Sequence, residues 1–160
     1  MSARAAAWLA LALSGNASGQ AASTAPAPLP TARTTWTVAR AWCPLGCSAT
    51  LQRLLKADVG QPVQLSASAL TASFIDPCDG QVHLELRATP VADIAADVNK
   101  GLPPGHRRLS AASLGATGAP LSGWALCKGA AGDVNLRRLL VVTPERMLLL
   151  DEEQALIELR

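Results

Sequence analysis

The stretch that decides the fold is LRRLLVVTPERMLLLDEEQALIELR, residues 136–160. Its apolar runs LRRLLVV, RMLLL and ALIELR are separated by short polar segments that suit tight turns. Residues 139–142 and 147–150 are apolar at every position, and successive side chains of a strand point to opposite faces. Such strands are buried on both sides or bury one side against a partner. The stretch therefore predicts a closing meander of three strands, with its outer face covered by the helices of the chain.

Upstream of this meander the sequence predicts five more strands and two helices. Alternating apolar and polar residues favour strands at 35–42, 61–67, 69–75, 81–88 and 121–127. Apolar residues at helical spacing predict helices at 49–57 and 90–99. Ser48 is the expected cap of the first helix and Thr89 that of the second.

Two local details of this pattern bear on the site. The alternation places Trp36, Val38, Arg40 and Trp42 on one face of the first strand. The turn sequence DPCDG, between the strands at 69–75 and 81–88, predicts that these two strands form a hairpin.

The fold class that follows is mainly β (α+β), a small antiparallel β-barrel of about eight strands with two short helices. A two-sheet sandwich is the alternative packing. The barrel is favoured because a single sheet of eight strands with apolar closing strands needs its edges covered.

The N-terminal residues have the layout of an export signal. Arg4 precedes an apolar run and then small residues, which predicts a signal peptide at 1–21. The apolar run, residues 5–13, is too short for a stable membrane span. An Ala/Pro/Thr-rich linker is expected at 22–34 and a single domain at 35–160. The predicted location is outside the cytoplasm, either periplasmic or secreted.

Export places the four cysteines, Cys43, Cys47, Cys78 and Cys127, in an oxidising compartment, where an even number predicts disulfides. The favoured pairing is Cys43–Cys47 with Cys78–Cys127, and the crossed pairing of Cys43–Cys78 with Cys47–Cys127 stays open. Three residues separate Cys43 from Cys47, where thioredoxin-type redox pairs have two. No metal site is expected, because the two histidines are isolated.

Net charge and tryptophan placement limit the functions that the chain could have. The formal net charge of +2 gives no strong field for nucleic acid. Trp36, Trp42 and Trp124 are expected mainly in the core, and the functional alternative is an apolar ligand pocket at the barrel mouth.

Catalytic motifs are missing from the sequence. There is no Gly-x-Ser-x-Gly motif and no phosphate-binding glycine loop, and no cofactor is expected. The hypothesis is a non-catalytic exported envelope protein that binds a small apolar ligand or a protein partner. An inhibitor of an envelope enzyme is a special case. The alternative is a periplasmic enzyme with a polar site around His83 and Glu85, or around His106.

The chain also resembles a known class of proteins. The exported N-terminus, the tryptophan of Trp36-Thr37-Val38, the strand meander and the small size resemble lipocalin-like β-barrel proteins of the bacterial envelope. The closing stretch, which ends on the basic residue Arg160, looks like the last hairpins of such domains. The resemblance implies a β-barrel fold and carries over no site residues.

Overall fold

The structure, a computed structural model, describes residues 28–102, 104–105, 107–129, 132–150 and 155–160. Within these residues the chain forms eight strands, two α-helices and one 3₁₀ turn. In chain order they are β1 (Thr35–Trp42), α1 (Ala49–Asp58), β2 (Pro62–Ser66), β3 (Ala69–Thr71), β4 (Gln81–Ala88), α2 (Val91–Lys100), the 3₁₀ turn (Ala111–Leu114), β5 (Leu121–Gly129), β6 (Gly132–Thr143), β7 (Arg146–Leu150) and β8 (Leu156–Leu159).

The strands form one antiparallel sheet that curls into a nearly closed barrel. Their order is β3-β2-β1-β8-β7-β6-β5-β4, so strands consecutive in sequence are neighbours except β3 and β4, which are the two edges of the sheet. The first and last strands meet through pairs such as Val38 with Leu159 and Ala41 with Ile157. Two further backbone hydrogen bonds join Thr37 and Arg160, at 2.9 and 3.0 Å. The predicted fold class is confirmed.

The barrel stays open between β3 and β4. These strands lie side by side, but no ladder pairs them within the described residues. The predicted hairpin at this point is therefore wrong. β3 ends at Thr71, and the residues up to Gly80 form a loop that sends Ile75 into the core. This loop buries Ile75 and bonds Cys78 to Cys127, and the turn-forming residues DPCDG do not close a hairpin between the two strands.

Two apolar clusters lie on opposite faces of the closing strands. Leu139 and Leu149 are fully buried in the barrel interior, which we call the interior cluster. Leu140 and Leu148 are equally buried in a second cluster on the outside of the barrel, which we call the outer cluster. The predicted burial of both faces is confirmed, because every apolar position of the meander has a packing surface.

Helix α2 covers the outer face as expected, whereas α1 does not. Val91, Ile94 and Ala95 of α2 belong to the outer cluster. In α1, Leu55 packs into the interior cluster instead. The expected cap of α2 is also wrong. Pro90 is the N-cap residue, and its side chain offers no hydrogen-bonding group, while the Thr89 hydroxyl donates to the carbonyl of Arg87 at 3.2 Å.

Both disulfides have the pairing favoured from the sequence. Cys43–Cys47, which we call the short bridge, joins residues 4 apart in sequence. Cys78–Cys127, which we call the long bridge, joins residues 49 apart. The long bridge ties the end of the loop between β3 and β4 to β5, beside the first residue pairs of the β4–β5 ladder. Two disulfides suggest an oxidising environment.

Candidate functional site

The candidate site begins with an irregularity in β1. The register of β1 against β8 shifts between Val38 and Arg40. Before this bulge, Trp36 and Val38 face the interior cluster. After it, Ala41 packs toward the interior and Trp42 packs against the outer cluster. The expectation that Trp36 and Trp42 share a face is wrong, because the extra residue of a bulge reverses the alternation.

The chain after Trp42 folds back through the short bridge into α1. Gly46 takes a positive φ of 88°, and its N–H donates to the carbonyl of Cys43 at 3.1 Å. Ser48 then caps α1, its hydroxyl accepting from the N–H of Leu51 at 3.1 Å. The Gln52 amide reaches back and donates to the carbonyl of Cys47 at 3.2 Å. These contacts fix the bridge between the end of β1 and the first turns of α1.

A pocket opens at this junction, and we call it the disulfide pocket. Its volume is about 260 Å³. It is lined by Ala41, Trp42, Cys43, Cys47, Gln52 and Leu55. Gln52 and Leu55 lie three apart in α1 and therefore share a helix face. The exposed lining of the pocket is about as polar as it is apolar, and the Gln52 amide is the lining side chain that can both donate and accept hydrogen bonds.

Charge lies around the disulfide pocket rather than in it. None of the six lining side chains is ionisable once the cysteines are oxidised. The guanidinium of Arg40 lies 4.4 Å from the ring centroid of Trp42, within the range of a cation–π contact. This contact, together with the outer cluster, holds the indole in place. The pocket is therefore uncharged, with polar and apolar surface in about equal parts.

The structure does not bring the three tryptophans predicted for a ligand pocket together. Trp36 is 1% exposed in the interior cluster, and its indole N–H has no hydrogen-bond partner among the described residues. Trp124 lies half-buried on the outer face of β5, opposite Glu85 of β4 and Arg138 of β6. Only Trp42 lines the disulfide pocket.

The polar residues of the enzyme hypothesis lie elsewhere. His83 and Glu85 are exposed on the outer face of β4, beside Leu126 and Trp124 of β5, and neither lines the disulfide pocket. His106 lies outside the described residues.

Over the residues that the structure describes, no three or more acidic, histidine or cysteine side chains cluster as metal ligands would. In the same part of the chain, no helix is long and apolar enough to cross a membrane.

One buried carboxylate has a structural role. Glu158 of β8 is 6% exposed and accepts from Arg146 at 3.2 Å and from Arg160 at 2.6 Å. Arg146 also donates to the carbonyl of Gly115 at 2.9 Å, which ties the loop after the 3₁₀ turn to the barrel. Burial alone would raise the pKa of Glu158, but the hydrogen bonds from the two arginines outweigh burial and leave the pKa below its ordinary value.

Sequence reasoning had missed the disulfide pocket and three of its lining residues, Ala41, Gln52 and Leu55. A signal for it was present, because Trp42 adjoins Cys43 and a helix face with Gln52 and Leu55 follows the second cysteine. The register shift between Val38 and Arg40, which sets the direction of the Trp42 side chain, has no comparable signal in the local sequence.

The fold and the site define a class, a disulfide-bonded antiparallel β-barrel of eight strands with a small pocket beside one bridge. Comparison with known proteins found no matching family model, curated protein or solved structure. The lipocalin-like resemblance stays a prediction.

Proposed function

We propose that this chain is a non-catalytic exported protein of the cell envelope that binds an apolar group through the disulfide pocket. The group is a side chain of a protein partner or a small apolar ligand. The observation that carries the proposal is the pocket itself, with Trp42 and Leu55 as apolar walls and Gln52 as a single amide. Apolar walls beside placed polar groups are typical of binding sites, and this mixed lining suits an apolar group that also carries a hydrogen-bonding atom.

The volume of the pocket favours a single side chain over a large ligand. At about 260 Å³ it falls below the range of roughly 300–1,000 Å³ that is usual for drug-sized molecules. Two apolar side chains of the same helical segment are also exposed, Leu54 to 59% in α1 and Val59 to 46% just after it. A partner that inserts one side chain into the pocket would find further apolar surface on this segment. An inhibitor of an envelope enzyme is one form of this function.

Nuclear magnetic resonance (NMR) titration with indole as the probe tests the proposal. Indole has about nine heavy atoms, and at roughly 0.45 kcal/mol per atom its Kd should be about 1 mM. Shifts should concentrate on the Trp42 indole and the Gln52 amide. Trp42→Ala should raise the Kd at least about tenfold, whereas Trp124→Ala is the matched control and should leave it unchanged. Shifts centred on His83 and Glu85 would refute the proposal.

A further inference from the structure

The two bridges differ in access to solvent. Both sulfur-bearing residues of the short bridge line the open disulfide pocket and are half-buried. In the long bridge, Cys78 is half-buried as well, but Cys127 is 5% exposed and belongs to the interior cluster, so only one of its two sulfur-bearing residues is open to solvent. A thiolate that attacks a disulfide must reach one sulfur along the S–S axis, so access decides which bridge exchanges.

The charges around the two bridges also favour attack by a thiolate on the short bridge. The carboxylate of Asp79 lies 3.9 Å from the Cys127 sulfur and would repel an incoming thiolate. No charged side chain lines the pocket of the short bridge, and the first turn of α1 has no acidic residue. Cys47 immediately precedes Ser48, the cap of α1, so a thiolate formed there lies at the positive end of the helix dipole.

The consequences of opening also differ. Opening the short bridge releases a loop with only three residues between its cysteines, and the strand ladders stay intact. Opening the long bridge frees the loop beside the gap between β3 and β4, where no ladder holds the sheet. The folded barrel therefore tolerates a reduced short bridge better than a reduced long bridge.

From access, charge and position we infer that the short bridge is a thiol-exchange site, whose reactant is a small thiol or the dithiol of a redox protein. The inference does not depend on the proposed binding function. The thiolate attacks the sulfur of Cys43, forms a mixed disulfide with it and expels Cys47 as a thiolate. The second thiol of the dithiol then attacks the mixed disulfide. Two electrons pass to the protein, Cys43 and Cys47 become thiols on protonation, and the reactant leaves as a disulfide.

The assay follows both bridges in the folded, oxidised protein. The protein is mixed with dithiothreitol at neutral pH, quenched with an alkylating agent and mapped by peptide mass spectrometry. The short bridge should open at least about tenfold faster than the long bridge, without loss of barrel circular dichroism. Opening of both bridges at one rate, or of the short bridge only when urea unfolds the barrel, would overturn the inference.

A monothiol tests the direction of attack. With reduced glutathione as the probe, the trapped adduct should lie on Cys43, because the better-stabilised Cys47 thiolate leaves. An adduct that lies mainly on Cys47 would overturn the assignment of the leaving group.

A pair of charge variants tests the local electrostatics without touching the cysteines. Gln52→Glu places a carboxylate in the pocket but also removes the amide that donates to the Cys47 carbonyl, so Gln52→Met is its neutral reference. Relative to Gln52→Met, Gln52→Glu should slow opening by about threefold at low salt, the factor expected for repulsion across roughly 6 Å of water. About 1 M salt should remove the effect. Gln61→Glu makes the same charge change at an exposed position outside the pocket and should leave the rate unchanged. Equal slowing by both variants would overturn the inference that thiol exchange takes place within the pocket.

Discussion

Truncating the two neighbouring leucines Leu148 and Leu149 probes the packing of the closing strands. Both are 0% exposed, yet Leu149 belongs to the interior cluster and Leu148 to the outer cluster under α2. Leu→Ala removes three carbons, about 2.4 kcal/mol of transfer free energy at about 0.8 kcal/mol each. Incomplete collapse of the cavity raises the loss of unfolding free energy to about 3–4 kcal/mol at each position.

Urea unfolding followed by tryptophan fluorescence, with both bridges intact, measures these losses. The control is Leu54→Ala, which should change the unfolding free energy by less than about 0.5 kcal/mol because Leu54 is 59% exposed. If Leu148→Ala costs less than about 1 kcal/mol while Leu149→Ala costs the full amount, α2 does not cover the outer face. The barrel would then expose an apolar surface, and the account of the fold would fail there.

Three further predictions concern the bridges, the buried carboxylate and the N-terminus. Replacing the two cysteines of the long bridge by alanine should lower the unfolding free energy by about 4 kcal/mol, and replacing those of the short bridge should lower it by about 2 kcal/mol. Urea unfolding measures both losses, and equal losses would contradict the dependence on loop length. The stabilisation from Glu158 is fully present above its unfolded-state pKa of about 4.3 and is lost as pH falls through its lowered folded-state pKa. Urea melts across pH should therefore show a steeper loss of stability below about pH 5 in wild type than in Glu158→Gln, and parallel curves would refute this assignment. Intact-mass measurement of the exported protein should place its N-terminus between residues 18 and 23, and a retained Met1 would contradict export.

Much of the fold followed from local pattern. The consecutive leucines of β7 can be satisfied only by burial on both faces, and this property predicted both the barrel and its outer cluster. The cysteine pairing was favoured for a similar reason, since Pro44 and Gly46 turn the chain tightly enough to join Cys43 to Cys47.

What the sequence did not reveal depends on long-range pairing. The register shift between Val38 and Arg40 exists because β1 pairs with β8, more than a hundred residues later, and it turns Trp42 outward. The opening beside β3 likewise depends on Ile75 finding space in a core built by distant strands. Local alternation carries no information on either, so the disulfide pocket became visible only in the folded chain.

The central functional claim is that the disulfide pocket is the binding surface, and site-specific photo-crosslinking in the host's envelope tests it most directly. A photo-reactive amino acid is placed at Gln52, in the pocket, or at His83, on the outer face of β4. The account predicts a discrete adduct from position 52 that Trp42→Ala abolishes, and none from position 83. An adduct from position 83 that survives Trp42→Ala, or no adduct from position 52, would contradict it.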